Sequence, residues 1–310
     1  MGYPVATGAA NYSNTGANNN SSFIPEIWST KLLTKYYENC VYMEIANTDY
    51  EGEIKSHGDK VQIRTIPDIT IQDYEKGQDL DYEQPESAPV SLTIDQGHYF
   101  AFKVNSVDAY QADINLMDTF SQDGGMKMKR RVDANVLGSI YAGAAAVNAG
   151  ANAGKDSGSL NLGTAAAPIE ITKANIVDVL VERFGVCLDE TDTPDEDRYV
   201  VLPPSMCARI KTSELKDASL TGDGNSTLRS GKIGMIDRLH IYSSRNLNVT
   251  SGAYDVLFGH KSALSFAAQI TEMEKLKNPK DFGDLVRSLF VYGFDVLLPE
   301  QLGHSVMRLG

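Results

Sequence analysis

The 310-residue sequence holds few of the residues that make chemistry easy to read. Three cysteines, Cys40, Cys187 and Cys207, stand far apart with no CxxC pair. Their scarcity excludes a disulfide framework and a zinc site recognisable by spacing, and it suits a reducing compartment. The five histidines occur singly, with no HExxH motif and no i, i+4 pair. There is no Gly-x-Ser-x-Gly elbow. The glycine-rich stretch Thr221–Gly234 holds Gly231-Lys232, but Ile233 follows where a phosphate loop needs Ser or Thr. No nucleophile–base or ligand spacing emerges, so no enzyme, catalytic residue, cofactor or metal is expected.

Charge is also missing where targeting would need it. The first charged residue is Glu26, and residues 1–25 read as Gly, Ala, Asn, Ser and Tyr. A secretory leader needs a basic start and an apolar run, and neither is present. Met1-Gly2 invites myristoylation, but Ala6 stands where Ser or Thr is wanted. The longest later uncharged window, Ala134–Gly154, contains Asn135, Asn148 and Asn152 and is too polar to favour lipid. A soluble, unexported chain with a flexible polar tail and no membrane partner is expected. Positive charge is the minority sign: 28 Lys+Arg against 41 Asp+Glu give a net charge of −13. That balance argues against a protein whose main task is to grip nucleic-acid phosphate.

What is present is ordinary globular composition, 42% hydrophobic and 22% charged. After Pro25, Trp28, Leu32, Tyr36 and Cys40 recur every four residues, which predicts a helix over about 25–45. Residues 60–105 change to period two and read as strands. Between the arms, Asp68–Glu86 carries seven acids and one base, Lys76. This predicts a long two-stranded excursion with an acidic tip, which is marginal alone and must pack on something outside its own domain. Residues 106–148 return to helical period, with Ser106 as N-cap, and predict one helix of about 40 residues or two in line, with Gly124-Gly125 as the kink. A Gly/Ala/Ser/Asn linker is expected over 149–168. Thr172 then caps a helix that ends at Gly185. Strands are expected at 199–202, 239–243, 254–258 and 286–298, the last strong one, with a short helix after Pro203-Pro204-Ser205 and another over 262–270.

Two charge clusters invite a functional reading. Asp189, Glu190, Asp192, Asp195, Glu196 and Asp197 lack the central Gly and distal Glu of an EF-hand and read as a solvated loop. Lys127, Lys129, Arg130 and Arg131 form the basic cluster. It reads as a nucleic-acid patch, as a solvated helix face, or as an assembly contact. In the last reading the acidic excursion (Asp73, Glu75, Asp79, Asp81, Glu83) of one subunit lies over the helix of its neighbour, and opposed charge sets registration more than affinity.

The order of elements resembles the major capsid protein of tailed bacteriophages, the Hong Kong ninety-seven fold. Ile24-Pro25-Glu26-Ile27-Trp28 and Ala46-Asn47-Thr48-Asp49-Tyr50-Glu51-Gly52 look like its N-arm. Gly58-Asp59-Lys60-Val61-Gln62-Ile63 looks like the start of its extended loop, and Asp113-Ile114-Asn115-Leu116-Met117-Asp118 like its spine helix. Gly259-His260-Lys261-Ser262-Ala263 and Val291-Tyr292-Gly293-Phe294 look like its C-terminal part. The resemblance implies an α+β fold: N-arm 1–50 (tail 1–22), E-loop with flanking strands 51–105, P-domain spine helix and linker 106–168, A-domain 169–260, and C-terminal P-domain strands 261–310 returning to the A-domain. It implies pentamers and hexamers of an icosahedral shell around double-stranded DNA, built in the host cytoplasm. Portal and scaffolding proteins are the implied partners, with a decoration protein as an optional one. Some relatives crosslink a loop Lys to a neighbour's Asn; that activity is not carried over to Lys76, since no acceptor or catalytic Glu matches by motif. An encapsulin-type compartment shell has the same fold and is the near alternative. A metal-dependent hydrolase is the alternative of another class.

Overall fold

The computed structural model describes residues 40–49, 60–64, 67, 69–73, 75–79, 82–86, 89–105, 116–213, 234–279 and 281–310. The polar tail, most of the first expected helix, Ser106 and the loop 214–233 lie outside the described residues. Of the first helix, α1 (Tyr42–Ile45) is described.

The centre of the fold is a mixed sheet. Its backbone path runs β4 (Ile169–Ile171), β12 (Leu302–Leu309), β9 (Ala253–His260), β5 (Arg198–Leu202), β7 (Leu239–Ser243), β6 (Met235–Ile236), with β8 (Val249–Thr250) paired to β9. β5 is buried at every residue, as its run Tyr199-Val200-Val201-Leu202 requires. It pairs parallel with β7 and antiparallel with β9. Pro203 and Pro204 then stop the strand and open α5 (Pro204–Lys211), because proline is tolerated at the first helical turn.

One face of the sheet is covered by a helix that starts where predicted and ends later. Thr172 and Asn175 bond reciprocally, Asn175 N–H to Thr172 Oγ1 at 3.4 Å and Thr172 N–H to Asn175 Oδ1 at 2.7 Å. The helix then runs through α3 (Ile176–Asp178), a π-helical stretch Val179–Gly185 and α4 (Val186–Glu190). Gly185 keeps right-handed geometry at φ −59° and does not end it. The ring of Phe184 stacks on Phe258 of β9 at 4.2 Å. The same Phe258 ring fills the space that a side chain at Gly303 would need.

A second sheet of three strands runs β10 (Leu264–Lys277), β11 (Gly283–Val296), β3 (Gln96–Asn105). The 262–270 helix expectation fails here. Ser262 is held in a short 3-10 turn, its N–H donating to His260 Nδ1, and the chain enters a fourteen-residue strand. A ladder from Leu264↔Val296 to Lys277↔Asp284 outweighs the helix preference of Ala263, Ala267 and Ala268. Ala267 is small for a packing reason. The hairpin of β1 (Lys60–Arg64) and β2 (Pro89–Thr93) crosses there, and Leu92 and Ile94 bury against Ala267 with Val291 beside them. Gly293 is required too, because a Cβ would meet Thr93 O and Ile94 Cα.

Helix α2 (Leu116–Leu137) lies against this second sheet: Phe102 meets Phe120 edge-on at 5.8 Å, and Phe100 lies over Gly124. The helix passes through Gly124-Gly125 without interruption and ends at Leu137, eleven residues before the expected limit at 148. Ser139 Oγ donates to Asn135 O at 2.6 Å at its end, and two 3-10 turns follow, Ile140–Gly143 and Ala146–Asn148. At 1.5 Å per residue the described helix spans roughly 33 Å.

Residues 149–168 are not a free linker. Ala153 pairs with Leu160, Leu162 is fully buried, and Val306 N–H donates to Leu162 O at 3.0 Å. Gly163 makes this possible: its φ is +79°, and a Cβ would strike Val306 O. The expected last strand is β11, but β12 follows it and is inserted between β4 and β9.

Candidate assembly surfaces

The acidic excursion is regular only at its base. β1 and β2 pair from Lys60↔Thr93 to Arg64↔Pro89, and no described residue between them is in a strand. The two-stranded expectation therefore holds for five pairs and not for the tip. A turn at Glu75–Gln78, with Gln78 N–H on Glu75 O at 3.1 Å and Gly77 at φ +98°, reverses the chain. Glu83 reaches across to accept from Thr70 N–H at 3.1 Å. Every described residue from Ile69 to Glu86 is exposed, including Asp73, Glu75, Asp79 and Glu83; Asp81 lies outside the described residues. What charge counting missed is apolar: Ile71 is 96% exposed and Tyr82 90%, with Ile69 alongside. These large apolar side chains lie in solvent on a segment whose described residues are all exposed.

The basic cluster does not form one face. At about 100° per residue, Lys127, Arg130 and Arg131 fall within about 100° of arc, while Lys129 is about 160° from Arg131. Lys127 pairs with Asp123 at 2.9 Å. Lys129, Arg130 and Arg131 are exposed and take part in no ion pair among the described residues. Met126 and Phe120 are half-exposed on the same helix.

Two polar centres tie distant parts of the chain together. Asp133 of α2 is fully buried. Its Oδ1 accepts the backbone N–H of Val41 (2.8 Å) and Tyr42 (2.9 Å), and its Oδ2 accepts Asn246 Nδ2 (2.7 Å). One carboxylate thus joins the start of α1, the helix and the segment after β7. The second centre adds to the reading of 189–197 as a solvated loop: Asp189, Asp192, Asp195, Glu196 and Asp197 are exposed, but two of them close over a buried arginine. Arg198 at the start of β5 is 1% exposed and pairs with Asp189 (2.6 Å) and Asp195 (3.0 Å). It also donates to Pro194 O at 2.8 Å and to Thr193 O. Arg238, in the β6–β7 turn, binds the same two carboxylates. Burial raises the Asp189 carboxyl, but bonds and charge from Arg198 and Arg238 outweigh it and hold it below the ordinary range. Asp192, Asp197, Asp237 and Arg238 all have positive φ, so the knot is made in strained backbone.

Burial, with Glu190 adding to it, pushes the Cys187 thiol up to about 12, so it is inert at neutral pH. Among the described residues no group of three His, Cys, Asp or Glu is placed to hold a metal ion. Among them, too, no helix is long and apolar enough to cross a membrane.

The two sheets, the long helix and the projecting hairpin define the class: an α+β subunit of the Hong Kong ninety-seven type. The family model for phage capsid proteins matches residues 90–302, and the chain belongs to that family. A solved structure from Mycobacterium phage Che8 is 26% identical, covers 93% of this chain and 98% of its own, and has a TM-score of 0.73. Two more distant structures share the fold. The capsid of cyanophage P-SCSP1u is 15% identical with a TM-score of 0.70, covering 97% of this chain and 100% of its own. The mature capsid of bacteriophage PhiM1 is 17% identical with a TM-score of 0.65, covering 96% and 97%. No curated protein matches the sequence. The function is that of a major capsid protein, a structural protein of the virion that assembles into multi-subunit shells.

Proposed function

We propose that the chain builds pentamers and hexamers of an icosahedral shell around double-stranded DNA, with no catalytic role and no sequence-specific DNA contact. The observation that carries this reading is the family match over 90–302 together with a hairpin whose described tip is exposed throughout. In this reading residues 51–105 are the E-loop and its strands, α2 is the spine of the P-domain, and 169–260 form the A-domain. Portal and scaffolding proteins take part in assembly in the host cytoplasm, and a decoration protein is an optional addition. The encapsulin alternative has no observation in its favour. Negative-stain microscopy with light scattering on the purified chain tests the proposal. Closed shells or capsomer-sized rings are expected; a chain that stays monomeric even with co-expressed scaffold would sink it.

The excursion is the contact that reaches a neighbour. Ile69, Ile71 and Tyr82 supply the apolar anchor, since buried apolar area gives affinity. Asp73, Glu75, Asp79, Asp81 and Glu83 set registration against Lys127, Arg130 and Arg131 of the next subunit, with Lys129 on the far side of the helix. Arg130→Glu is expected to slow assembly, with partial rescue by Lys at Asp79 and Asp81. Lys129→Glu is expected to act less. Equal assembly rates for Arg130→Glu and the unchanged chain would remove this contact from the proposal.

A further inference from the structure

A cavity of about 320 Å³ opens where the end of α2, the first 3-10 turn, the start of β3 and the end of β11 meet. Its lining is sorted by chemistry. Ile140, Gly143, Phe294 and Val296 give apolar wall, Gln96 and Asn135 give amides, and Asp95 and Asp295 bring two carboxylates. Both acids are exposed, whereas Ile140 is buried. One oxygen of each acid is used locally: Asp95 Oδ1 accepts from Gln96 Nε2 (3.1 Å), and Asp295 Oδ1 accepts from Val296 N–H (2.8 Å). The other oxygen of each takes no hydrogen bond among the described residues. Asn135 is held in place by Tyr292, donating to its hydroxyl at 2.8 Å. No lysine, arginine or histidine lines the cavity. The chain's own Arg131, one turn earlier on α2, acts on Tyr292 and is outside the lining.

We infer that this cavity is a socket for a lysine or arginine side chain of a second copy of the chain. The inference rests on the shell-forming reading above. The volume suits one long side chain and is small for a folded segment. The apolar wall takes the methylene stem, and the two acids take the cationic head. Charge complementarity selects a cation, and a family whose members pack against copies of themselves supplies the second copy. The socket lies beside the end of α2, at the one end of the second sheet where β3 starts and β11 finishes. Its lining shares no residue with the acidic excursion, so the contact is additional to the one made there.

Carbodiimide labelling with glycinamide tests the inference on the unaltered chain, comparing free subunits with assembled shells. Asp95 and Asp295 are expected to label readily in free subunits and about tenfold less in shells, as paired, desolvated carboxylates do. Equal labelling in both states would overturn the socket. The variant arm uses Asp95→Asn with Asp295→Asn, and separately Asp295→Lys. Both positions are exposed, so the melting temperature is expected to stay unchanged while shell yield falls, most for Asp295→Lys. Normal yield in Asp295→Lys overturns the inference, and so does a yield loss that follows a lowered melting temperature. Unaltered chain that never leaves the monomer would overturn the shell reading and the socket with it. Protection lost only at the socket, with shells still forming, would overturn the socket alone.

Discussion

Arg198→Ala is expected to cost about 2–4 kcal/mol of folding stability, because it strands two carbonyl acceptors at about 1–3 kcal/mol each and empties a buried site. The side chain is 1% exposed, and its loss leaves Thr193 O and Pro194 O without their guanidinium donor. Arg238→Ala touches the same two acids from an exposed position and is expected to cost about 1 kcal/mol or less. Urea unfolding followed by circular dichroism separates the two, and similar midpoints for both variants would refute the knot's dependence on Arg198. The knot also has a pH signature. The Asp189 carboxyl lies below its ordinary value in the folded chain, so the unfolded chain takes up its proton first. Its contribution is complete above the ordinary carboxylate range and is lost as pH falls through about 4 toward the lower folded value. Asp189→Asn is expected to flatten the acid limb of a melting-temperature profile while lowering its neutral plateau.

Asp133→Ala is the second large effect. It strips acceptors from two backbone N–H groups and one amide in a fully buried position. At about 1–3 kcal/mol per stranded donor, the loss is expected to reach at least about 3 kcal/mol. Asp133→Asn is expected to cost about 1 kcal/mol, because Oδ1 still accepts both N–H groups and Asn246 can turn its own amide to match. Hydrogen exchange at Val41 and Tyr42 is the sharper readout. Those amides are expected to exchange fast in the alanine variant and slowly in the asparagine one. Slow exchange in both would show that α1 is held by Tyr42, whose ring packs tilted against Phe266 at 4.8 Å, and not by the carboxylate.

Much of the architecture was legible, and the parts that were not share a cause. β5 and β7 could be read because β-branched and aromatic residues crowd into short runs, and α5 because Pro203-Pro204-Ser205 is a start signal. The arms of the excursion were legible from period two, and pairing at Lys60–Arg64 with Pro89–Thr93 bears that out. The 262–270 segment misled because its partner strand starts some twenty residues later, and local preference lost to a long ladder. β12 was missed since Leu302-Gly303-His304-Ser305-Val306-Met307 does not alternate: it is covered on both faces, and its small residues answer to Phe258 and Leu162. The clusters failed similarly. Asp189 and Asp195 are solvent-facing as read, but their pairing with Arg198 and Arg238 was missed, since Arg238 stands more than forty residues on. The basic cluster looked like one patch because four neighbours in sequence were not yet turned around a helix axis.

β4 and β12 are neighbours in space and more than a hundred residues apart along the chain. A ribosome therefore makes β4, β5, β7 and β9 well before the strand that stands between the first and the last of them. Until β12 arrives, β9 keeps one side unpaired and β4 has nothing to lie against. An unfinished chain thus holds a sheet with a gap in its middle. The long β10–β11 ladder belongs to the other sheet and cannot close that gap. The central sheet is closed only when β12 takes its place between β4 and β9.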